Sequence, residues 1–357
     1  MKAITNTNYI KNLGFLAILL LGTMTFAQDD ESEDAKKFSL SGSIDAYYRA
    51  NLNANNSFDE AEGAPYAAPG SSFANLPGFA LGMANIVASY EGEKAGFVAD
   101  LVFGPRGTDA IFASPIYSAT GNIVNQLYAY WNVSDAVTLT VGNFNTFLGY
   151  EVISPVANFN YSTSYLFSYG PFSHTGIKAD FALSDDFSLM LAFMNQTDVT
   201  ELNITGKYAY GAQLGYSGQY LNLLIDNGSY EVDYTGGFDL SDNFFLGINA
   251  AYFDGADDTG FAGAALYPQL KTSETFTLGL RGEYFVETGA FGAIGTSVED
   301  SSVFAVTLTG SANIGNLMIK PELRLDNASD DSALFLDSDL NPQKSLSSFV
   351  LAAVYSF

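Results

Sequence analysis

Polar and apolar residues alternate with a period of two along most of this chain. The stretch MIKPELRLD, residues 318–326, places a charged residue at every second position and apolar residues between them. Because successive side chains of a β-strand point to opposite faces, the charges share one face and the apolar residues share the other. A soluble sandwich would turn the charged face to solvent. A membrane barrel would turn it to a wet lumen and the apolar face to lipid.

Sixteen segments with this alternation follow one another. They are residues 38–50, 79–90, 94–104, 123–133, 136–144, 173–183, 187–196, 207–216, 219–227, 230–240, 243–253, 261–269, 274–286, 301–312, 316–326 and 345–357. Seven tight polar turns (EGEK, VSDA, LSDD, YSGQ, LSDN, KTSE and NIGN) alternate with eight connections, most of them longer. Short turns on one side and longer loops on the other are typical of outer-membrane barrels. The turns are therefore expected in the periplasm, with both chain ends on that side.

Two segments fit this pattern less well than the others. FAGAALYPQ (261–269) is the weakest of the sixteen, and the even strand number depends on it. Pro321 removes a hydrogen-bond donor from a wall that has no free edge. Alternation alone does not exclude a soluble sandwich, but the chain length and the lack of purely apolar central strands favour one closed barrel. The predicted fold is all-β: a transmembrane, antiparallel, up-and-down β-barrel of sixteen strands.

The N-terminus has the pattern of a secretory signal peptide. Lys2 and Lys11 precede an apolar run from Leu13 to about Leu21, and Thr25-Phe26-Ala27 places small residues at positions −3 and −1. The run is too short to span a bilayer. We expect a signal peptide at 1–27, a short acidic segment at 28–37 and a single barrel domain at 38–357.

Composition agrees with a wall that contacts lipid. The chain is 48% apolar and 15% aromatic but only 15% charged, whereas soluble domains have roughly 25% charged residues. The net charge is −25, and 14 basic residues form no basic stripe, so nucleic acid is not an expected partner. The chain has no cysteine, which excludes disulfide and thiolate-metal frameworks.

Several stretches resemble one family. FSLSGSIDAYYRANLN, FGPRGTDA and especially NQLYAYWNVSDAVTLTVGNFNTFLGYEVISPVANFNYSTSYLFSYGPFSHTGIKADF look like the OmpL-like putative beta-barrel porin family of Gram-negative bacteria. The resemblance covers most of the mature chain and implies an outer-membrane channel without cofactors. The last strand ends in Phe357, which resembles the terminal signature that the barrel assembly machinery reads. Trimers are common among sixteen-stranded porins, so a homotrimer is also compatible with the resemblance.

Strand parity assigns charged side chains to the lumen. The expected pore-lining residues are Asp45, Arg49, Asp100, Lys178, Asp180, Asp226, Glu231, Asp233, Arg281, Glu283, Lys320, Glu322, Arg324 and Asp326. Nine acids and five bases predict a channel for small hydrophilic solutes or ions that weakly prefers cations. The alternative is that opposite charges pair across neighbouring strands and stiffen the wall.

The third long connection, residues 145–172, is aromatic and nearly uncharged. A loop in open water would not carry so much apolar surface without a protein face to cover it. We therefore expect it to fold into the barrel as a constriction, with Arg106 of FGPRGTDA nearby. The residues assigned to this constriction are Arg106, Phe147, Tyr150, Glu151, Phe159, Tyr161, Tyr165 and Phe167. A lid over the mouth or a trimer contact is the alternative.

Other classes of function are less well supported. A hydrolase needs a serine that is activated by a histidine, but the single histidine, His174, follows Ser173 directly, and adjacent strand side chains diverge. DSDLNP offers the first three positions of a calcium loop, but Pro342 stands where glycine is needed. No enzyme activity and no metal site is therefore predicted. The remaining alternative is a structural or adhesive outer-membrane barrel with a blocked lumen and loops that bind a partner.

The small residues before Gln28 predict removal of residues 1–27 on export. The intact mass of protein purified from outer membranes should correspond to a chain that starts at Gln28. A mature species that begins at Met1 would contradict the export interpretation.

Overall fold

A computed structural model describes residues 37–57, 66–111, 118–294, 299–329 and 334–357. In these residues, sixteen strands form a closed barrel in which every strand is antiparallel to both neighbours. The barrel strands are β1 (Lys37–Asn51), β2 (Gly78–Glu91), β3 (Ala95–Phe103), β4 (Val124–Ser134), β5 (Val137–Asn145), β6 (Ser173–Ala182), β7 (Phe187–Asn195), β8 (Tyr208–Tyr216), β9 (Gln219–Asp226), β10 (Ser229–Ser241), β11 (Phe244–Asp254), β12 (Gly260–Ser273), β13 (Phe276–Thr288), β14 (Ser302–Ile314), β15 (Leu317–Ala328) and β18 (Ser345–Ser356). Two short strands, β16 (Phe335–Leu336) and β17 (Pro342–Gln343), pair with each other in the last loop.

The predicted fold is confirmed. Each of the sixteen predicted segments is a strand of the barrel, and the last strand closes on the first through the pairing of β18 with β1. The weakest predicted segment is the full-length strand β12, which runs four residues beyond its predicted end at residue 269. Tight turns agree as well: Ser217 and Gly218 both have positive φ (48° and 80°), as a two-residue hairpin turn requires.

The barrel accommodates two prolines by interrupting the pairing on one side of each. Pro321 pairs with Leu351 of β18, whereas the register between β14 and β15 has no partners between Thr309↔Glu322 and Ala312↔Ile319. Pro268 likewise pairs with β11 and lies at a gap in the register with β13. Because proline lacks the N–H, each interruption falls on the edge where the ladder bond is missing.

The two faces of the wall differ as the alternation predicts. Large apolar side chains on one face remain exposed, among them Phe79 (92%), Leu81 and Phe38. The opposite face carries buried polar residues, including Asp45, Arg281 and Glu322. Exposed apolar side chains around a closed barrel form a surface that suits lipid. In the described part of the chain, no helix has the length and apolar character needed to cross a bilayer.

The connection between β5 and β6, residues 146–172 (the inner loop), lies inside the barrel. It makes hydrogen bonds with β1, β10, β13, β14 and β15, which only a segment within the lumen can reach together. Helix α1 (Pro105–Ala110) follows β3, and helix α2 (Tyr165–Tyr169) belongs to the inner loop. Ser164 caps α2 by accepting a hydrogen bond from the Phe167 N–H at 3.0 Å.

Some predicted features lie outside the described residues. These are the signal peptide, the acidic residues 28–36, and the acidic parts of the first and last long loops at 58–65 and 330–333.

The order of turns and loops predicts sidedness. A cysteine at Ser57, which is exposed in the first long loop, should react with a membrane-impermeant thiol reagent on intact cells. A cysteine at Ser184, which is exposed in a tight turn at the other end of the barrel, should react only after the outer membrane is opened. Because the natural chain has no cysteine, each variant carries a single label site. Labelling at Ser184 in intact cells would reverse the topology.

Candidate functional site

Charged side chains of β13 hold the backbone of the inner loop. Arg281 Nη1 donates to Glu151 Oε1 and to the Ser162 carbonyl, both at 2.7 Å. Two residues further, Glu283 accepts the N–H groups of Tyr165 (3.0 Å) and Leu166 (2.8 Å). These N–H groups belong to the first turn of α2, which has no intrahelical acceptor for them. The carboxylate of Glu283 on the wall therefore caps the N-terminus of α2.

The charges of β15 act in the same way. Glu322 accepts the Tyr161 N–H at 2.9 Å and the Ser162 N–H at 3.2 Å. Lys320 Nζ donates to the carbonyls of Pro155 (2.8 Å) and Asn158 (2.5 Å). Arg324 donates to the Thr163 carbonyl at 2.8 Å and also binds Asp326 at 2.8 Å. Wall carboxylates thus accept from loop amides, and wall cations donate to loop carbonyls.

Three further anchors lie around the barrel. Asp45 of β1 accepts the Tyr161 hydroxyl at 2.5 Å, and Asp233 of β10 accepts the Gly149 N–H at 3.0 Å. In α1, Arg106 Nε donates to the Ile153 carbonyl at 2.8 Å, and its guanidinium lies 4.4 Å from the centre of the Phe73 ring.

Glycines on the inner face leave room for loop side chains. A Cβ atom added at any of four glycines would overlap a side chain of the inner loop. The pairs are Gly211 with Phe147, Gly247 with Tyr150, Gly263 with Leu166, and Gly279 with Phe159. The wall is therefore recessed where the loop packs against it.

These contacts change the picture of the predicted pore-lining residues. Eleven of the fourteen are buried: Asp45, Arg49, Asp100, Glu231, Asp233, Arg281, Glu283, Lys320, Glu322, Arg324 and Asp326. Asp100 accepts hydrogen bonds from Asn85, Asn125 (2.7 Å) and Gln126 (3.1 Å), and Arg49 binds Asn51 at 2.7 Å. The three that keep exposure are Lys178, Asp180 and Asp226, of which the first two form an ion pair at 2.8 Å.

The predicted aromatic residues of the inner loop face the wall or other loops. Tyr150 stacks on Tyr267 of β12 with ring centres 4.3 Å apart, and Tyr165 packs against Phe285 of β13 at 5.7 Å. Phe167 contacts Phe73 of the first long loop at 5.7 Å. Much of the aromatic surface is thus covered by the barrel's own residues rather than by solvent.

The inner loop leaves an acidic cavity at the outer mouth. This outer cavity has a volume of about 190 Å³, and Asp198, Asp226 and Glu231 are among its lining residues. Asp198 Oδ1 accepts the N–H groups of Phe172 and Ser173, both at 2.8 Å. Burial, with a smaller contribution from the negative charge of Asp226, raises the pKa of Asp198 to about 6. Burial likewise raises the pKa of the nearby Tyr169 hydroxyl to about 12.

The residues weighed for catalysis or metal binding have structural partners. His174 is fully buried, and its Nε2 lies 3.0 Å from the Thr146 hydroxyl. Asp337 Oδ1 accepts the N–H groups of Asp339 and Asn341, both at 2.8 Å, within its own loop. Among the described residues, no group of three or more metal-ligating side chains has a suitable arrangement.

Several residues of the site were not singled out from the sequence. Asn160 donates to Thr309 of β14 at 2.7 Å, and Ser162 donates its hydroxyl to Glu322. Asp198 was not singled out either. The four glycines could have predicted from the sequence that a segment packs against the inner wall, because glycine at inward positions of several wall strands indicates close approach of another segment.

Comparison with known proteins agrees with this architecture. The outer-membrane channel DcaP of Acinetobacter baumannii is 12% identical, with a TM-score of 0.57 over 92% of this chain and 99% of that one. An anion-selective porin from Comamonas acidovorans is 12% identical, with a TM-score of 0.57 over 90% and 100%. The trimer form of OmpT from Vibrio cholerae is 10% identical, with a TM-score of 0.52 over 91% and 100%.

At these identities the neighbours show the fold alone. Among proteins with curated descriptions, no sequence matches the chain at a significant level. The family described as "Putative beta-barrel porin-2, OmpL-like" matches residues 37–357. This chain, an outer-membrane barrel of the porin type, belongs to that family.

Proposed function

We propose that this protein is a water-filled channel for passive diffusion of small hydrophilic solutes or ions across the bacterial outer membrane, with a weak preference for cations. The observation that carries the proposal is a sixteen-stranded barrel whose inner loop crosses the lumen and leaves part of the inner wall uncovered. The loop bonds to β1, β10 and β13–β15, whereas polar inward side chains of β4–β6 such as Tyr128, Asn132 and Asp180 keep exposure. A barrel of this size leaves space for water beside such a loop.

The inner loop is the constriction in this proposal. Its anchors on three sides of the barrel hold it across the lumen, and its aromatic residues pack against the recessed wall. Arg106 supports the loop from α1 through the Ile153 carbonyl rather than by facing solute.

The cation preference rests on acids that have no basic partner among the described residues. Lys178 and Asp180 form an ion pair, so their charges largely offset each other. Asp198, Asp226 and Glu231 at the outer cavity add negative charge, and no ion pair among the described residues includes them. A one-sided charge at the mouth raises the local concentration of cations. Lys320 and Arg324 contribute little, since both bind loop carbonyls.

A second candidate function is a structural or adhesive barrel with a blocked lumen. The dense packing of Tyr161, Tyr165 and Leu166, each no more than 4% exposed, favours it. This candidate predicts no conductance, so one measurement separates the two. A homotrimer and recognition of Phe357 by the assembly machinery are further parts of the proposal; the trimeric neighbour and the half-exposed Phe357 support them.

Deleting residues 152–166 should enlarge the single-channel conductance in planar bilayers, because it removes the segment that crosses the lumen. The charges of β13 and β15 would then meet water instead of an apolar interior, so the barrel should still fold. The parent protein should conduct, and its reversal potential in a salt gradient should show a weak cation preference. A deletion of residues 201–205 in the next long loop is the control and should leave conductance unchanged.

Two outcomes would contradict the proposal. A folded parent protein that never conducts would favour the blocked barrel. A folded deletion variant with unchanged conductance would reject the constriction.

Gly279→Ala should release the inner loop, because the new Cβ overlaps the ring of Phe159. Overpacking of this kind costs roughly 1–3 kcal/mol, so chymotrypsin should cleave the loop about tenfold faster in the folded protein. Gly282→Ala is the matched control on the same strand, since nothing lies within 4 Å of its added Cβ.

A smaller ring partner should restore the loop. The double variant Gly279→Ala/Phe159→Val should recover slow cleavage, because valine leaves space for the added methyl group. Equal cleavage rates in the Gly279→Ala and Gly282→Ala variants would disprove the packing argument.

A further inference from the structure

The outer cavity lies where five parts of the chain meet. It is lined by the end of the inner loop (Gly170 and Pro171), the start of the next loop (Thr197 and Asp198), the hairpin of β9 and β10, the end of β11, and Phe291 of the loop after β13. A second gap of about 10 Å³, close to the size of one water molecule, shares Glu231, Gly170 and Pro171 with it and extends to Asp233. The outer cavity therefore adjoins the edge of the inner loop on the β10 and β11 side.

Two of the three acidic side chains of the cavity, Glu231 and Asp226, have carboxyl oxygens without a hydrogen-bond partner among the described residues. Glu231 is only 4% exposed, yet it accepts no hydrogen bond from any described residue. Asp226 accepts the Thr197 N–H at 2.8 Å through Oδ2, while its buried Oδ1 has no partner among the described residues. A buried carboxylate without a donor carries a large desolvation cost. Two unfilled acceptors that line one cavity point to a donor that comes from outside the chain.

Charge and wall composition narrow the chemical class of that donor. No ion pair among the described residues involves Asp198, Asp226 or Glu231, so no base of the described chain neutralises these acids. The raised pKa of Asp198 reflects the same surroundings. The rest of the lining includes four aromatic residues, Tyr169, Tyr230, Phe253 and Phe291. Aromatic faces attract organic cations and cover apolar groups.

We propose that the outer cavity binds a small organic ammonium cation, whose N–H groups donate to Glu231 and Asp226 and whose apolar part lies against Phe253 and Phe291. A bare metal ion is a poorer occupant, since the described residues offer no cluster of three suitably arranged ligands and four of the twelve lining residues are aromatic. This inference deepens the proposed channel function, because it names a class of solute that binds at the outer mouth. It rests on the proposed function only in so far as the bound solute is also transported. Binding itself does not require an open lumen.

Benzylammonium is a suitable probe, because it combines one ammonium group with one ring. Titration calorimetry of the full-length mature protein in detergent should show saturable one-to-one binding at pH 7.5. Benzyl alcohol, which partitions into micelles but has no charge, and benzoate, which has the opposite charge, should not saturate the site. Because calorimetry needs no conductance, it separates failure of this site from failure of the channel proposal.

Glu231→Gln should weaken benzylammonium binding about tenfold, since a hydrogen bond to a charged acceptor is lost. The matched control is Asp180→Asn, which removes a lumen carboxylate outside the outer cavity and should leave the affinity unchanged. Asp226→Asn provides a second test if Glu231→Gln does not fold, as judged by heat-modifiable migration in gels. The proposal fails if the folded parent protein shows no saturable binding, if Glu231→Gln binds as tightly as the parent, or if Asp180→Asn loses the same affinity.

Discussion

The pairing of the inner loop's backbone with charges on the barrel wall is the interaction on which the rest of this structure depends. A loop that enters a barrel leaves the water that would satisfy its N–H and C=O groups, and unsatisfied groups of this kind are costly. Glu283 and Glu322 accept the N–H groups of four loop residues, while Arg281, Lys320 and Arg324 donate to loop carbonyls. The alternating signs along β15 match the alternating needs of a backbone that exposes both donors and acceptors. Charge on this wall thus serves to position the loop.

Because of this pairing, the number of charged residues on the inner wall differs from the number of charges that a solute in the lumen would meet. Nine acids and five bases lie at inward positions, but most are buried and hydrogen-bonded, so their fields are partly offset by backbone dipoles and by each other. The pair of Arg281 and Glu151, with side chains 0% and 3% exposed, is an example. Removal of either partner would leave a buried charge without a counter-charge. The intact pair presents almost no net field to the lumen. In the proposed channel, selectivity would then depend on few groups, chiefly the acids of the outer cavity. A count of inward charges overstates how many residues control it.

The barrel could be predicted from the sequence because the patterns that identify it involve residues close together in the chain. A period of two, turn residues at short intervals and the sign of each face are all properties of neighbouring residues, and even the Ala- and Gly-rich β12 followed the rule. The site was less readable because its contacts join distant parts of the chain: Glu322 meets Ser162, 160 residues away, and Arg281 meets Glu151 across 130. The alternation along each strand correctly predicted that the side chains of Glu322 and Arg281 face the lumen, but it did not predict their partners. The aromatic composition of the inner loop did indicate that a protein surface covers it, and the wall glycines show how that surface was shaped.

The position of the outer cavity follows from the same constraint. The inner loop's hydrogen bonds are concentrated on β1 and β13–β15, and on β10 it reaches only as far as Asp233, through Gly149. Nearer the outer mouth, the Phe172 N–H of the inner loop donates to Asp198, and the loop gives no hydrogen bond to Glu231 or Asp226. No base among the described residues pairs with these two side chains. An apolar residue in place of Glu231 would remove the desolvation cost without disturbing the inner loop, since the loop gives no hydrogen bond to this carboxyl group. Asp100 and Asp180, which also receive no donor from the inner loop, are bonded by neighbouring wall side chains instead. Glu231 has neither kind of partner among the described residues, so a donor from the solution accounts for this carboxyl group, and that is the role proposed for an ammonium solute.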